Sequence, residues 1–250
     1  MVGTNHLRER GNTSGKGWKV LRIMKNGNNI KFAALIATAA ASSMALAGGN
    51  PFTGFSADVS TYNDGTSDWY VVDMYANFTS DDFAVLNVFN SDIGTNDGLG
   101  FNQNDLADAQ GGSWKPSFSF DIAGVYDPMR DSYVTIGYGV GAAAALNQTA
   151  LDPSFGDGLG ANIPVGAGWF NLTPDNPQYA SGGQLHIGHF AMNADRSGLE
   201  TMSFAADIGF NLGPGTEVFF GDGSLEIAVP APGALALLGL GGLAVRRRRA

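Results

Sequence analysis

Apolar and polar residues alternate along several segments of the chain. Between residues 70 and 78, apolar side chains occupy every second position, and the same pattern holds at 118–122 and 201–212. A period of two is typical of half-buried β-strands with one wet face. The pattern predicts further strands at 83–89, 131–140, 167–172, 184–192, 216–220 and 224–229. No long helical pattern interrupts these segments, so the middle of the chain is predicted to be all-β.

Glycine-containing turn signals separate the predicted strands. They are Asn63-Asp64-Gly65, Asn96-Asp97-Gly98, Gly156-Asp157-Gly158 and Gly221-Asp222-Gly223. Asp and Asn tolerate left-handed backbone geometry, and glycine supplies positive φ angles. About ten short strands joined by such turns predict an antiparallel β-sandwich, jelly-roll-like in arrangement. Residues 91–116 and 147–166 are interpreted as longer loops.

The N-terminal region has the layout of a secretory signal peptide. Two lysines precede the apolar run 32–41, and Ala45 and Ala47 place small residues at the −3 and −1 positions of a cleavage site before Gly48. An apolar run this short fits a signal sequence better than a membrane-spanning helix, although an alanine-rich buried helix is the alternative. Because Met24 is a natural start, residues 1–23 are interpreted as a mis-assigned extension and residues 24–47 as the signal peptide.

The C-terminal region combines a short motif, an apolar segment and a basic end. Val229-Pro230-Ala231-Pro232 is followed by the thirteen apolar residues 233–245 and then by four arginines, Arg246, Arg247, Arg248 and Arg249. Arginines resist translocation and hold such a tail at the cytoplasmic face. As a helix, thirteen residues span about 20 Å, less than the roughly 30 Å hydrocarbon core of a bilayer. A temporary anchor, cut after export, is therefore predicted for residues 229–250.

This tail resembles the PEP-CTERM sorting signal, also called the ice-binding protein C-terminal motif, in a planctomycete-like variant. The usual motif reads Val-Pro-Glu-Pro, and Ala231 stands here in place of the glutamate. The resemblance is limited to the tail. It implies recognition by exosortase, a membrane transpeptidase, after signal peptidase has released the N-terminus. An ordinary C-terminal transmembrane helix that stays in the membrane is the alternative.

Composition and charge narrow the function of the body at 48–228. Between residues 32 and 245 lie three of the 14 basic residues and 22 of the 23 acidic residues, so this interval carries a net charge of −19. Nucleic-acid binding is excluded, since phosphate contacts need clustered lysine and arginine. The absence of cysteine excludes disulfides, thiolate metal sites and a cysteine nucleophile.

No catalytic constellation emerges from the sequence. His186 and His189 lie three residues apart in a predicted strand, which places them on opposite faces and argues against a shared ligand. The metallohydrolase and serine-hydrolase motifs are missing. A glycoside hydrolase, which needs two carboxylates facing each other across a cleft, is kept as a third alternative because acidic residues are abundant. We predict a non-enzymatic protein without a resident cofactor.

Calcium is the metal that this composition favours. Carboxylate and carbonyl oxygens suit a hard cation, and Asp-Gly turns supply both. Candidate ligands in the loop 91–116 are Asp92, Asn96, Asp97 and Asp105. No segment matches a known calcium-loop pattern, so the simpler alternative is that these residues form turns and a soluble surface.

Carbohydrate binding is the chemistry that the aromatic residues suggest. Exposed aromatic side chains on a β-sandwich can stack on sugar rings, although Trp and Tyr more often serve the core. Trp114 lies in a predicted loop beside glycine and lysine and is expected to be the exposed one.

The sequence therefore predicts an exported, surface-sorted, non-enzymatic protein of the cell envelope or exopolysaccharide matrix. Its predicted location is the outer surface or the extracellular matrix, after transient anchoring in the inner membrane. The alternative is a carbohydrate-binding or Ca²⁺-dependent adhesive module that contacts exopolysaccharide.

Overall fold

β-strands and tight turns make up nearly all of the described chain. The computed structural model describes residues 25–26, 29–30, 49–104, 114–115, 126–137, 149–156, 160–173 and 177–229. The strands are β1 (Lys25–Asn26), β2 (Asn29–Ile30), β3 (Phe52–Asn63), β4 (Asp68–Phe78), β5 (Ala84–Thr95), β6 (Tyr133–Val134), β7 (Thr149–Leu151), β8 (Trp169–Asn171), β9 (Gln178–Tyr179), β10 (Gln184–Asn193), β11 (Thr201–Asn211) and β12 (Phe219–Ala228). One 3-10 helix, Pro153–Phe155, follows β7.

The strands form two large antiparallel sheets and a separate small hairpin. One sheet has the order β3-β4-β10-β6, and the other has the order β12-β11-β5-β8-β7, with β9 also paired to β5. Strands β1 and β2 pair only with each other among the described strands. The prediction of an antiparallel all-β fold is confirmed, and the two large sheets enclose one shared core in a sandwich-like arrangement.

Aromatic side chains from both sheets meet in this core. Phe210 of β11 lies 5.1 Å from Phe78 of β4 and 6.3 Å from Phe52 of β3, measured between ring centroids. Phe55 and Phe204 meet edge to face at 4.9 Å across the same interface. Such tilted and edge-on contacts are the preferred geometries of aromatic pairs. The large rings therefore lock the two sheets together.

Strand β3 is absent from the predicted strands, although Phe55, Ala57 and Val59 alternate with polar residues. Phe52 and Phe55 are three residues apart, yet both are buried in the core. A register shift between Phe52 and Gly54 leaves Thr53 as an extra residue, which returns Phe55 to the inner face. A β-bulge of this kind moves the alternation by one position at the start of the strand.

One of the predicted turns is wrong, because strand β12 runs through it. Gly221-Asp222-Gly223 was expected to separate two strands, but these residues lie inside one continuous strand paired along β11. A Cβ atom on Gly221 would collide with the ring of Phe52, and one on Gly223 would lie 3.1 Å from the ring of Phe55. These glycines therefore make room for two core rings.

A Gly221→Ala substitution is expected to lower the free energy of unfolding by about 1–3 kcal/mol, because the added methyl group overpacks the core against Phe52. Gly94→Ala is the matched control, since Gly94 also lies in a strand and a Cβ there meets nothing within 4 Å. Urea denaturation of both variants measures the difference. Equal stabilities of the two variants would contradict the packing role of Gly221.

Candidate functional site

An open groove of about 550 Å³ lies on the outer face of the sheet that contains β5, β8, β11 and β12. Strand register places three residues of this groove in one row with Gly209 of β11. Phe220 of β12 lies opposite Gly209 of β11, Gly209 lies opposite Asn87 of β5, and Asn87 lies opposite Phe170 of β8. The row therefore has an aromatic residue at each end, with Gly209 and Asn87 between them. We call these four residues the aromatic row.

The rings of the aromatic row face solvent. Phe220 is 59% exposed and Phe170 is 37% exposed, while their neighbours Trp169 and Gly221 are buried. Phe220 also contacts Phe89 edge to face, at 6.2 Å between ring centroids. Exposed aromatic side chains grouped on one face mark an interaction surface more often than isolated apolar residues do.

Gly209 lies beneath the Asn87 side chain in the aromatic row. A Cβ atom on Gly209 would collide with Oδ1 of Asn87, so the Asn87 side chain extends over the position that a larger residue would occupy. The Asn87 amide has no hydrogen-bond partner among the described residues. It can therefore act as both hydrogen-bond donor and acceptor toward a ligand.

The loop between β11 and β12 forms one wall of the groove and is braced by hydrogen bonds. Oδ1 of Asn211 accepts a hydrogen bond from the Gly213 amide at 3.0 Å. The Thr216 hydroxyl donates to the Gly213 carbonyl at 2.7 Å and accepts from the Leu212 amide at 3.1 Å. This wall is therefore built before a ligand arrives, which lowers the ordering cost of binding.

The lining of the groove is neutral. It consists of Leu86, Asn87, Phe170, Asn171, Asn211, Pro214, Gly215, Thr216, Val218 and Phe220. Apolar walls with a few placed amides and hydroxyls are the usual make-up of small-ligand sites. The arrangement fits a ligand that presents both apolar faces and neutral hydrogen-bonding groups.

A second cluster lies on the outer face of the other sheet and involves both histidines of the body. Asp58 of β3 lies opposite Asp73 of β4, Asp73 lies opposite His189 of β10, and His189 lies opposite Tyr133 of β6. Oδ1 of Asp73 accepts hydrogen bonds from Nδ1 of His189 at 2.7 Å and from Nε2 of His186 at 3.1 Å. We call these residues the histidine cluster.

The prediction that the two histidines lie on opposite faces is wrong. Strand β10 carries a register shift between His186 and Gly188, which leaves Ile187 without a partner opposite it in β4. This β-bulge adds one residue, so side chains three positions apart point to the same face. Both imidazoles reach one carboxylate for that reason.

Electrostatics hold this carboxylate ionised. Burial opposes ionisation of Asp73, but the hydrogen bonds and charges of His186 and His189 outweigh it and hold the pKa of Asp73 far below its ordinary value of 3.8. Burial, with the charges of Asp73 and Asp58, raises the pKa of Tyr75 to about 12. Because the carboxylate can only accept, Nδ1 of His189 and Nε2 of His186 both carry protons.

The histidine cluster is enclosed rather than open to a substrate. His189 has no exposed surface, and its ring stacks on Tyr133 at 5.2 Å between centroids. Nε2 of His189 has no hydrogen-bond partner among the described residues. A carboxylate-oriented imidazole is the arrangement of a general base, yet here it is buried inside a sheet face.

The described residues include no group of three or more His, Asp or Glu side chains arranged to hold a metal ion. In the histidine cluster, two of the imidazole nitrogens already donate their protons to Asp73. Neutral imidazole nitrogens with free lone pairs would be needed to bind a metal at these atoms.

Of the residues predicted to bind calcium, Asp92, Asn96 and Asp97 are described, and the last two are engaged by other groups of the protein. Asp92 is exposed on β5, whereas the Asn96 amide accepts from the Glu200 and Thr201 amides at 2.9 and 3.1 Å and donates to the Gly198 carbonyl at 2.8 Å. Asp97 is held by the Arg196 guanidinium. Asp105 lies outside the described residues. Calcium binding stays a prediction.

Asp97 and Arg196 join two turns at one end of the sandwich. Arg196 also donates to the Gly100 carbonyl and to the Thr95 hydroxyl. Burial opposes ionisation of Asp97, yet the hydrogen bonds from Arg196 and Thr95 outweigh it and lower its pKa. The pair therefore has a structural role that the turn pattern alone does not reveal.

The expected exposure of Trp114 is wrong. Its side chain is completely buried, with Phe101, Phe190 and Phe155 at 6.0, 6.4 and 6.5 Å between ring centroids. A neighbouring exposed residue, Lys115, made the segment look like a surface loop. Burial of the large apolar indole outweighs the polarity of its neighbours. Trp114 is unable to contact a glycan in this conformation.

The predicted processing signals lie mostly beyond the described residues. This applies to Ala45, Ala47, the residues 230–232 and the four terminal arginines, and also to the predicted strand at 118–122. Val229 is described and buried, and its amide donates to the Glu200 carbonyl at 2.8 Å. Within the described residues, no helix has the length and apolar character that crossing a membrane requires.

Several residues of the aromatic row escaped the sequence analysis. Gly221 and Gly223 suggested a turn beside Phe220, so the outward position of that ring was hidden. Phe170 could have been found, because it follows the buried Trp169 in a predicted strand and must point outward.

Compared with known proteins, the chain matches no family model, no curated protein and no solved structure.

Proposed function

We propose that this chain is an exported, non-enzymatic protein of the cell envelope or exopolysaccharide matrix, and that its groove binds neutral carbohydrate. The observation that carries the binding proposal is the aromatic row, in which Phe220 and Phe170 flank Gly209 and Asn87. We also propose that the strands of the sandwich follow a jelly-roll arrangement.

Carbohydrate is the ligand class whose chemistry matches the groove. A pyranose ring offers an apolar C–H face, which packs on an aromatic ring, and a rim of hydroxyl groups, which pair with amides. The groove offers both partners, with rings at Phe170 and Phe220 and a free amide at Asn87. A neutral lining favours a ligand without charge.

The proposal of export and sorting is supported by the limits of the folded body. The two large sheets are built from residues between Phe52 and Ala228, the interval between the two predicted processing regions. Signal peptidase would cut before Gly48, and an exosortase-like enzyme would act at the tail that begins with Val229. The enclosed histidine cluster supports a non-enzymatic role, since its buried His189 offers no exposed base.

Replacing Phe220 by alanine is expected to weaken binding of neutral glycans about tenfold, because one stacking ring is lost, which is worth about 1.4 kcal/mol. Leu99→Ala is the matched control, since Leu99 is 63% exposed outside the groove and should leave binding unchanged. Screening of the full chain on a glycan array, followed by titration calorimetry with a glycan that binds, measures the effect. If both variants weakened glycan binding equally, the groove would not be the glycan-binding site.

The mass of the protein recovered from outside the producing cells tests export and sorting. We expect a chain that begins at Gly48 and lacks residues 233–250, because both processing steps would be complete. Recovery of a chain that retains residues 233–250 would contradict sorting by tail removal. Recovery inside the cytoplasm with residues 24–47 intact would contradict export.

A further inference from the structure

We propose that the groove binds an internal stretch of a neutral polysaccharide that lies across the strands, rather than a single sugar or a chain end. This inference rests on the proposed function and specifies its ligand. It is argued from the length of the aromatic row, from its centre and from the charges at its margin.

The aromatic row is longer than one sugar ring. It crosses four neighbouring strands, β12, β11, β5 and β8, so the backbone positions at its two ends are separated by three strand spacings, or about 14 Å. Phe220 and Phe170 occupy the two ends. A single pyranose can contact one ring at a time, whereas several linked units can contact both.

The centre of the row accepts a ligand that passes over it. The Asn87 side chain lies over Gly209, and a Cβ atom on Gly209 would also lie 3.4 Å from the ring of Phe220, so an amide rather than an open path occupies the centre of the row. An amide in this position can pair with a hydroxyl of the central sugar while its neighbours stack on the rings. The groove is open, so both ends of the bound segment can continue beyond it.

Charges at the margin select against acidic polysaccharides. The next row on the same face contains Asp222 and Asp207, which lie opposite each other and one pleat away from Phe220 and Gly209. Asp207 is bonded to Asn90 at 2.7 Å, a neutral partner that leaves its negative charge in place. The body's Arg130 and Arg196 are paired with Asp64 and Asp97. Uronic acids would therefore meet uncompensated negative charge.

Titration of the full chain with neutral oligosaccharides of one to six units tests this inference. Three soluble series serve as probes, namely β-1,4-linked glucose, β-1,4-linked mannose and α-1,4-linked glucose. For the series that binds, we expect affinity to rise at least tenfold between the monosaccharide and the tetrasaccharide and then to level off. Oligogalacturonates of the same lengths should bind at least tenfold more weakly.

Two variants of the row's centre complete the test. Gly209→Ala should displace the Asn87 side chain and reduce the affinity for the tetrasaccharide about tenfold. Asn87→Asp has nearly the same shape and should cause a similar loss, so a folding defect in the glycine variant would not decide the outcome. Unchanged affinity of the Asn87→Asp variant would overturn the role of the centre.

The outcomes separate this inference from the proposed function. Binding that is lost in Phe220→Ala but does not depend on oligosaccharide length would overturn the internal-stretch inference and leave carbohydrate binding standing. No binding of any neutral glycan would overturn both. A dimer in analytical ultracentrifugation that Phe220→Ala converts to a monomer would assign the groove to a second copy of the chain and would also overturn the inference.

Discussion

A Phe210→Ala variant is expected to lose about 3–5 kcal/mol of unfolding free energy, which is the usual cost of removing a fully buried phenylalanine ring. Phe210 has no exposed surface, and its ring lies within 6.3 Å of the rings of Phe52, Phe78, Phe83 and Phe219. These neighbours come from both sheets. The cavity would therefore weaken the contact between the sheets as well as the packing within β11.

Chemical denaturation at neutral pH, followed by tryptophan fluorescence, measures this loss. Leu212→Ala is the matched control, because Leu212 lies two residues further along the chain and is 48% exposed. A change of about 0.5 kcal/mol or less is expected for the control. If Phe210→Ala lost no more than Leu212→Ala, the shared aromatic core would not be what joins the two sheets.

An Asp73→Ala variant is expected to lose about 2–4 kcal/mol, because two imidazole N–H groups would lose their acceptor inside the protein. His189 is completely buried in the folded protein. Asp58→Ala is the control, since Asp58 is exposed and no hydrogen bond joins it to either histidine among the described residues. Equal losses in the two variants would contradict the role of the shared acceptor.

The unfolding free energy should also depend on pH through the Asp73 carboxylate. The pKa of Asp73 is lower in the folded protein than its ordinary value of 3.8, so the unfolded chain takes up the proton first as the pH falls. Its contribution to stability is fully present above about pH 5 and is lost as the pH falls through the folded pKa. Asp73→Asn keeps an acceptor oxygen but removes the titration. Its unfolding free energy should therefore depend less on pH between about 5 and 2 than that of the parent protein.

Alternation predicted the strands that run without interruption. Strand β11 holds Met202, Phe204, Ile208 and Phe210 on the buried face, as its pattern indicates. Strand β3 alternates from Phe55 onward and was nevertheless left out of the predicted strands. A bulge in β10 separates the predicted from the observed placement of His186 and His189. A bulge depends on the partner strand, so a single segment read alone does not reveal it.

The candidate site could not be predicted from the sequence because it depends on the register between strands. Each member of the aromatic row sits on a different strand, and Phe170 and Phe220 come together only through the register of the strands between them. Gly221 and Gly223 carry an ordinary turn signature, although their real role is to admit Phe52 and Phe55. Trp114 has the flanks of a surface residue, and the deciding factor was its burial among rings distant in sequence.

The hydrogen bond between Val229 and Glu200 has a mechanical consequence. Because Val229 is buried and hydrogen-bonded, the residue that follows β12 is fixed to the residue that precedes β11. Phe220 and Ala228 lie near opposite ends of β12, about 25 Å apart along the strand. If the protein is attached to a surface through this terminus, β12 acts as a stiff post. It would hold the groove about 25 Å along the strand from Ala228, at the far end of β12 from the attachment point.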